Sequence, residues 1–115
     1  MRPPKGSYQP LRPHELHVLV ALAGGERHGY AIQQEVAARS GGAVRLGPGT
    51  LYETIARLLD RGLIREAPSK RSELDHAQRR YYALTGQGRR LLAAEVERLG
   101  DVVRIARERL EGSEA

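Results

Sequence analysis

Cysteine, phenylalanine and tryptophan are absent from this chain of 115 residues, and methionine occurs once. Without cysteine there is no disulfide and no thiolate metal site, which suits a reducing cytoplasm. Without Phe and Trp the core must be aliphatic, built from Leu, Val, Ile and Ala with help from five Tyr. Residues 1–13 hold no apolar run like the core of a signal peptide. No stretch approaches the ~20 apolar residues of a membrane span. The expectation is one soluble domain with no membrane contact, located in the cytoplasm. Lysine is also scarce, 2 against 17 Arg, a ratio that genome composition alone can produce.

What is plentiful is positive charge, and its placement matters more than its total of +5. Residues 1–90 carry 15 Lys and Arg against 8 Asp and Glu, whereas residues 91–115 carry 4 against 6. A basic front and an acidic tail suggest a polyanionic partner, and nucleic acid is the commonest one. Plain solubility explains the same charge about as well.

Hydrophobic spacing divides the chain into elements. Residues 1–12 are polar and carry Pro3, Pro4 and Pro10, and read as a flexible N-terminal arm. Pro13 can open a helix, because its missing N–H would be unpaired there anyway. Leu16, Leu19, Val20 and Ala23 then fall on one helical face, and Gly24-Gly25 ends it. A second helix is expected over 29–39, with Ile32 and Val36 four apart and Gly41-Gly42 as its stop. A third runs from Pro48 to about Arg61 with Leu51, Ile55, Leu58 and Leu59 as its apolar stripe and Gly62 as C-terminal cap. Strands are expected at 63–67 and 78–84, joined by a charged loop into a hairpin.

Thr85 is a plausible N-cap for a last helix reaching about Leu110. On it, Leu92, Val96, Leu99, Val103, Ala106 and Leu110 recur in steps of 4, 3, 4, 3 and 4. That is a heptad seam with a period of about 3.5, and a second copy of the chain would cover it. Leu91 and Val102 lie off the seam and are expected to face the domain body.

The fold class is therefore mostly α with a small β-hairpin (α+β). Three helices followed by a hairpin give a winged helix-turn-helix, here extended by a long C-terminal dimerisation helix. Residues 13–85 would form the DNA-binding domain, 86–111 the dimerisation helix and 112–115 a frayed tail.

In such a domain the third helix anchors one face in the core and lays the other in the major groove. At about 100° per residue, Gly49, Thr50, Glu53, Ala56, Arg57 and Asp60 fall on or near the face away from the apolar stripe. Thr50 can reach a phosphate or a thymine methyl, Arg57 a phosphate or a guanine edge, and Glu53 a cytosine amine. Tyr52 lies on the flank, where its hydroxyl can meet the backbone. Lys70, Arg71, His76, Arg79 and Arg80 supply the wing with cations that favour phosphate over base contact. Glu73 and Asp75 dilute that charge. The N-terminus of the second helix, near His28 and Gly29, can present N–H groups to a phosphate. The competing explanation of the third helix is an amphipathic surface helix with a solvated far side, which Glu53 and Asp60 favour.

The fragments His28-Gly29-Tyr30-Ala31-Ile32, Gly49-Thr50-Leu51-Tyr52, Arg57-Leu58-Leu59, Gly62-Leu63-Ile64 and Arg80-Tyr81-Tyr82-Ala83-Leu84-Thr85 resemble the PadR-like transcriptional regulators in order and spacing. The resemblance covers about residues 14–110. It implies a cytoplasmic homodimer on an inverted-repeat operator in double-stranded DNA, usually a repressor. It also implies dimerisation through the C-terminal helix, often with help from the first. Tyr52 would belong to the recognition helix, and the basic wing positions would approach the DNA backbone. Only one C-terminal helix is present, as in the short-tailed branch. Some relatives answer to phenolic acids or hydrophobic drugs. The drug-binding pattern uses a Trp that this chain lacks, so a small-molecule effector stays unidentified. The apolar surface near Leu16, Val20, Leu92 and Val96 is where one would sit.

Other classes fit less well. His14 and His17 are three apart, not at the four-residue spacing of a zinc-protease helix, and no third ligand is evident. The short Gly pairs at Gly47-Pro48-Gly49 and Gly86-Gln87-Gly88 lack the strand-then-helix setting of a nucleotide loop. No catalytic residues, metal ligands or cofactor are expected. A winged helix serving as a protein-interaction module, without specific DNA binding, is the remaining alternative.

Overall fold

The computed structural model describes residues 10–68 and 80–112. The elements run α1 (Pro13–Ala23), β1 (Arg27–His28), α2 (Gly29–Arg39), α3 (Pro48–Asp60), β2 (Ile64–Ala67), β3 (Tyr81–Leu84) and α4 (Gly86–Gly112). This is the expected winged-helix order with one addition, the strand β1. The sheet is antiparallel in the order β1-β3-β2. Its register pairs Ile64 with Leu84 and Ala67 with Tyr81 on one side of β3, and Arg27 with Tyr82 on the other. The second hairpin strand begins at Tyr81; Arg80 precedes it, and the expected residues 78 and 79 lie outside the described residues.

Local chemistry sets the helix ends. Gly41 and Gly62 both adopt positive φ, 64° and 74°, a region that only glycine enters without strain. After α3 the Gly62 N–H donates to the Leu59 carbonyl and the Leu63 N–H to that of Leu58. After α2 the Gly41 and Gly42 N–H groups bond Ala38 and Ala37 in the same way. Both ends are thus Schellman caps, which satisfy carbonyls the helix leaves open. The Thr85 hydroxyl accepts from the Gly88 N–H at 3.0 Å and donates to the Gly62 carbonyl at 2.7 Å. It therefore caps α4 and ties it to the end of α3 in one side chain. A Cβ on Gly88 would overlap the Leu63 backbone, so glycine allows α4 to lie directly on the start of β2.

The core is aliphatic, as expected: Val18, Leu19 and Leu22 from α1, Ile32 and Val36 from α2, Leu51, Ile55 and Leu58 from α3, and Leu63, Ile64, Tyr82 and Leu92 around them. Three assignments change. The buried face of α1 is Glu15, Val18, Leu19, Ala21 and Leu22, so of the expected stripe Leu16, Leu19, Val20 and Ala23 only Leu19 is fully buried. Leu16 and Val20 are half-buried and Ala23 is exposed. α1 is the central helix, in contact with α2, α3, β3 and α4, so no single stripe describes its buried side. Leu59 is half-buried, and the buried side of α3 instead takes in Thr54, whose hydroxyl donates to the Thr50 carbonyl at 2.8 Å. Val102, expected against the body, is exposed. Residues 10–12 also depart from a loose arm. Leu11 packs on the core, and its N–H donates to Glu95 at 2.8 Å.

Candidate nucleic-acid interface

α3 is held rigidly from behind. Leu51, Thr54, Ile55 and Leu58 are buried, and Pro48 opens the helix in its first turn. Gly47 accepts the first intrahelical bond, from the Leu51 N–H. The opposite side is open. Gly49, Thr50, Tyr52, Glu53, Ala56, Arg57 and Asp60 are all exposed. The structure thus brings Thr50, Tyr52, Glu53 and Arg57 onto one accessible surface. Gly49, Thr50 and Ala56 keep that surface low, which lets a helix approach base edges closely.

The start of α2 sits beside the start of α3. β1 delivers His28 to the N-cap position of α2, where Nδ1 accepts from the Ala31 N–H at 3.1 Å. The same ring meets Tyr81 edge to face, with centroids 5.3 Å apart. Gly29 then leaves room for a neighbour: a Cβ there would lie 2.6 Å from the Tyr52 hydroxyl. Tyr52 therefore leans from α3 over the first turn of α2, with about half its surface still open. Tyr30 is exposed beside it and accepts a hydrogen bond from Gln34. A phenol and a helix N-terminus at one edge make a surface suited to phosphate oxygens.

At its other end α3 borders a cleft of about 180 Å³ lined by Pro10, Arg12, Glu15, Arg57, Asp60 and Arg61. Glu15 is 3% exposed. Its Oε1 accepts from the Arg12 N–H at 2.9 Å and lies 3.4 Å from the Arg61 guanidinium. Sequence reasoning passed over Arg12, Glu15 and Arg61. The one signal was an acid three residues after the N-cap position Arg12, the spacing at which a side chain reaches back to the helix cap. The Gly29–Tyr52 contact had no signal in the sequence, since the two residues belong to different helices.

The wing is represented by its base alone. Arg80 pairs with Glu66 at 3.3 Å across the hairpin. Both are exposed, so the pair contributes little to stability, about 0–1 kcal/mol. The expected wing residues Lys70, Arg71, His76 and Arg79 lie outside the described residues. Arg27 and Arg39 both bind Glu35, at 2.7 and 2.8 Å. They also donate to the carbonyls of Ala21 and His17, and so lock α2 to α1.

The proposed dimer seam divides at the edge of the body. Leu92 is 8% exposed and belongs to the chain's own core. It is therefore already covered, and this corrects its assignment to the partner-facing seam. Leu99 is half-buried. Beyond it every residue of α4 through Gly112 is exposed, including Val102, Val103, Ile105, Ala106 and Leu110. Val96 is also open.

Among the described residues no group of three His, Asp or Glu side chains could hold a metal ion. Burial, then Arg39 and His14, lowers the His17 pKa. No described helix is long and apolar enough to cross a membrane.

Residues 18–94 match the model of the transcriptional regulator PadR-like family. The chain is 38% identical over 89 residues to the transcriptional regulator Rv3488 of Mycobacterium tuberculosis, covering 77% of this chain and 78% of that one. It is 42% identical over 81 residues to a 37.1 kDa protein in transposon TN4556 of Streptomyces fradiae, and spans 21% of that protein's length. Among solved structures, a PadR family transcription regulator of Clostridium difficile superposes with a TM-score of 0.72 at 22% identity, over 84% of this chain and 97% of that one. The elements in order, the outward face of α3 and these likenesses agree: the chain belongs to the PadR-like family of DNA-binding transcriptional regulators, with a winged-helix fold.

Proposed function

We propose that this protein is a sequence-specific regulator, a repressor, that binds an inverted-repeat operator as a homodimer. The observation that carries the reading is the two-sidedness of α3. Its inner face is locked in the core, and its outer face leaves Thr50, Tyr52, Glu53 and Arg57 exposed, as insertion in a major groove requires. In this reading Arg57 contacts a guanine edge or a phosphate. Thr50 and Tyr52 hold the backbone beside the start of α2, and the wing cations Lys70, Arg71 and Arg79 add sequence-independent attraction. The open apolar residues of α4, from Val96 to Leu110, favour a second copy, since an uncovered stripe on a charged helix is costly in water. A twofold axis then places two α3 helices about one DNA turn apart, roughly 10 bp or a multiple of it. Half-buried Leu16 and Val20 and exposed Val96 are the residues around which an effector site between the copies would form.

Glu53 and Asp60 on the outer face favour the second reading, a protein-interaction module, because acids repel phosphate. Fluorescence anisotropy separates the two. Binding to inverted repeats upstream of its own gene is followed across a salt series, with Arg57→Ala in parallel. The expected result is site-selective binding that weakens steeply with salt and falls ~5- to 100-fold in the variant, the worth of one good contact. A folded dimer that binds no duplex would favour the protein-interaction module.

A further inference from the structure

Among the described residues two carboxylates are buried, Glu15 at 3% and Glu95 at 1% exposure. An apolar side chain of similar volume would fill either place without the cost of burying charge. Their positions suggest why they are there. Glu95 is the last fully buried residue of α4, at the point where the helix leaves the body. One of its oxygens accepts the Leu11 N–H at 2.8 Å, and the other binds Arg98 at 2.7 Å. Leu11 leads directly into Arg12, whose N–H is held by Glu15. Glu15 in turn faces Arg61, the residue that caps α3. Arg57 lies one turn before Arg61 on the rim of the same cleft.

We infer that Glu95, the 10–12 segment, Glu15 and Arg61 form a relay that fixes the exit of α4 to the C-terminal end of α3. Glu95 and Glu15 are thus positioning residues for the helix that reads DNA. The relay rests on the proposed function in taking α3 as that helix, and its effect on operator binding rests also on the proposed dimer. The Glu95 pKa lies below the usual carboxylate range, chiefly through the Leu11 N–H, with further help from Arg98 and from the more distant Arg61. In a dimer built through α4, the relay would set the angle at which each α3 leaves the twofold axis. A partner or ligand that shifted α4 would reach Arg57 by the same route.

The test is amide hydrogen exchange on the full free chain, wild type against Glu95→Leu, Glu95→Gln, Arg61→Gln and the exposed control Glu97→Gln. Glu95→Leu keeps the packing but accepts no hydrogen bond. It should speed exchange at Leu11 and at Arg61, Gly62 and Leu63 by about tenfold, the scale of one charge-assisted bond. Leu19 and Leu22 should stay unchanged. Glu95→Gln retains an acceptor oxygen and should fall between the two. Arg61→Gln should release Leu11 in return, because coupling is reciprocal, and Glu97→Gln should change nothing. Faster exchange confined to Leu11, or equal at every amide, would overturn the relay. With duplexes, Glu95→Leu should weaken binding to a two-half-site operator about tenfold and leave a single half-site unchanged. Equal weakening on both would reduce Glu95 to a stabilising residue. If the wild type binds no duplex, the DNA reading fails, and the exchange data still decide the relay.

Discussion

Gly29 shows how much one missing atom can govern at the candidate interface. A methyl group there would press on the Tyr52 hydroxyl, the far end of an exposed side chain that can swing away. The fold would lose little, and at the first position of a helix alanine is as well suited as glycine. Gly29→Ala should therefore leave Tm within ~3 °C of wild type while lowering operator affinity about fivefold or more, since Tyr52 would no longer rest over the start of α2. Thermal unfolding and anisotropy on one preparation check this. A large fall in Tm would show that Gly29 serves packing instead. At this scale the sequence was partly legible. Thr50, Tyr52, Glu53 and Arg57 follow from helical spacing, because exposure on α3 alternates with an apolar stripe strong enough to read. The neighbours of those residues were not legible. Glu15, Arg61 and Gly29 act across helices, and one-dimensional spacing carries no information about which helices touch.

Among the elements, α4 was the easiest to foresee and α1 the hardest. The α4 stripe repeats for several turns, and its first member belongs to the chain's own core. Its first member, Leu92, was misassigned because a heptad pattern does not say where a domain body ends. α1 is enclosed by several elements, so its apolar residues spread around the helix and the expected stripe captured only part of its buried side. β1 has only Arg27 and His28 to announce it. It exists because β3 offers an open edge, to which these two residues pair, and a sequence pattern cannot show that edge. The division along α4 predicts two different failures. Val103→Asp should leave the monomer folded and shift sedimentation from dimer to monomer, since Val103 touches no core. Leu92→Asp should unfold the chain, because it buries an unpaired charge, a defect worth several kcal/mol. Circular dichroism and sedimentation velocity together separate the outcomes. A Val103→Asp chain that remained dimeric would remove α4 from the proposed interface.

On the scale of the whole molecule, charge and shape point the same way. The basic excess lies in residues 1–90, and the acidic excess lies in residues 91–115, which hold most of α4. A helix of 27 residues is about 40 Å long at ~1.5 Å per residue, so its free half extends well beyond the small body. Pairing two such helices would leave the outer face of α3 open on each copy. Order, composition and family motifs made this architecture readable from the sequence. The dimer and the operator are the parts that a single chain does not contain. Hydroxyl-radical footprinting on the inverted repeats upstream of its own gene tests them most directly. The account predicts two protected patches on one face of the duplex, related by a dyad and centred about one turn apart, roughly 10 bp or a multiple, with both lost together in Val103→Asp. A single patch, or protection that survives in that variant, would contradict a dimer reading two half-sites through α3.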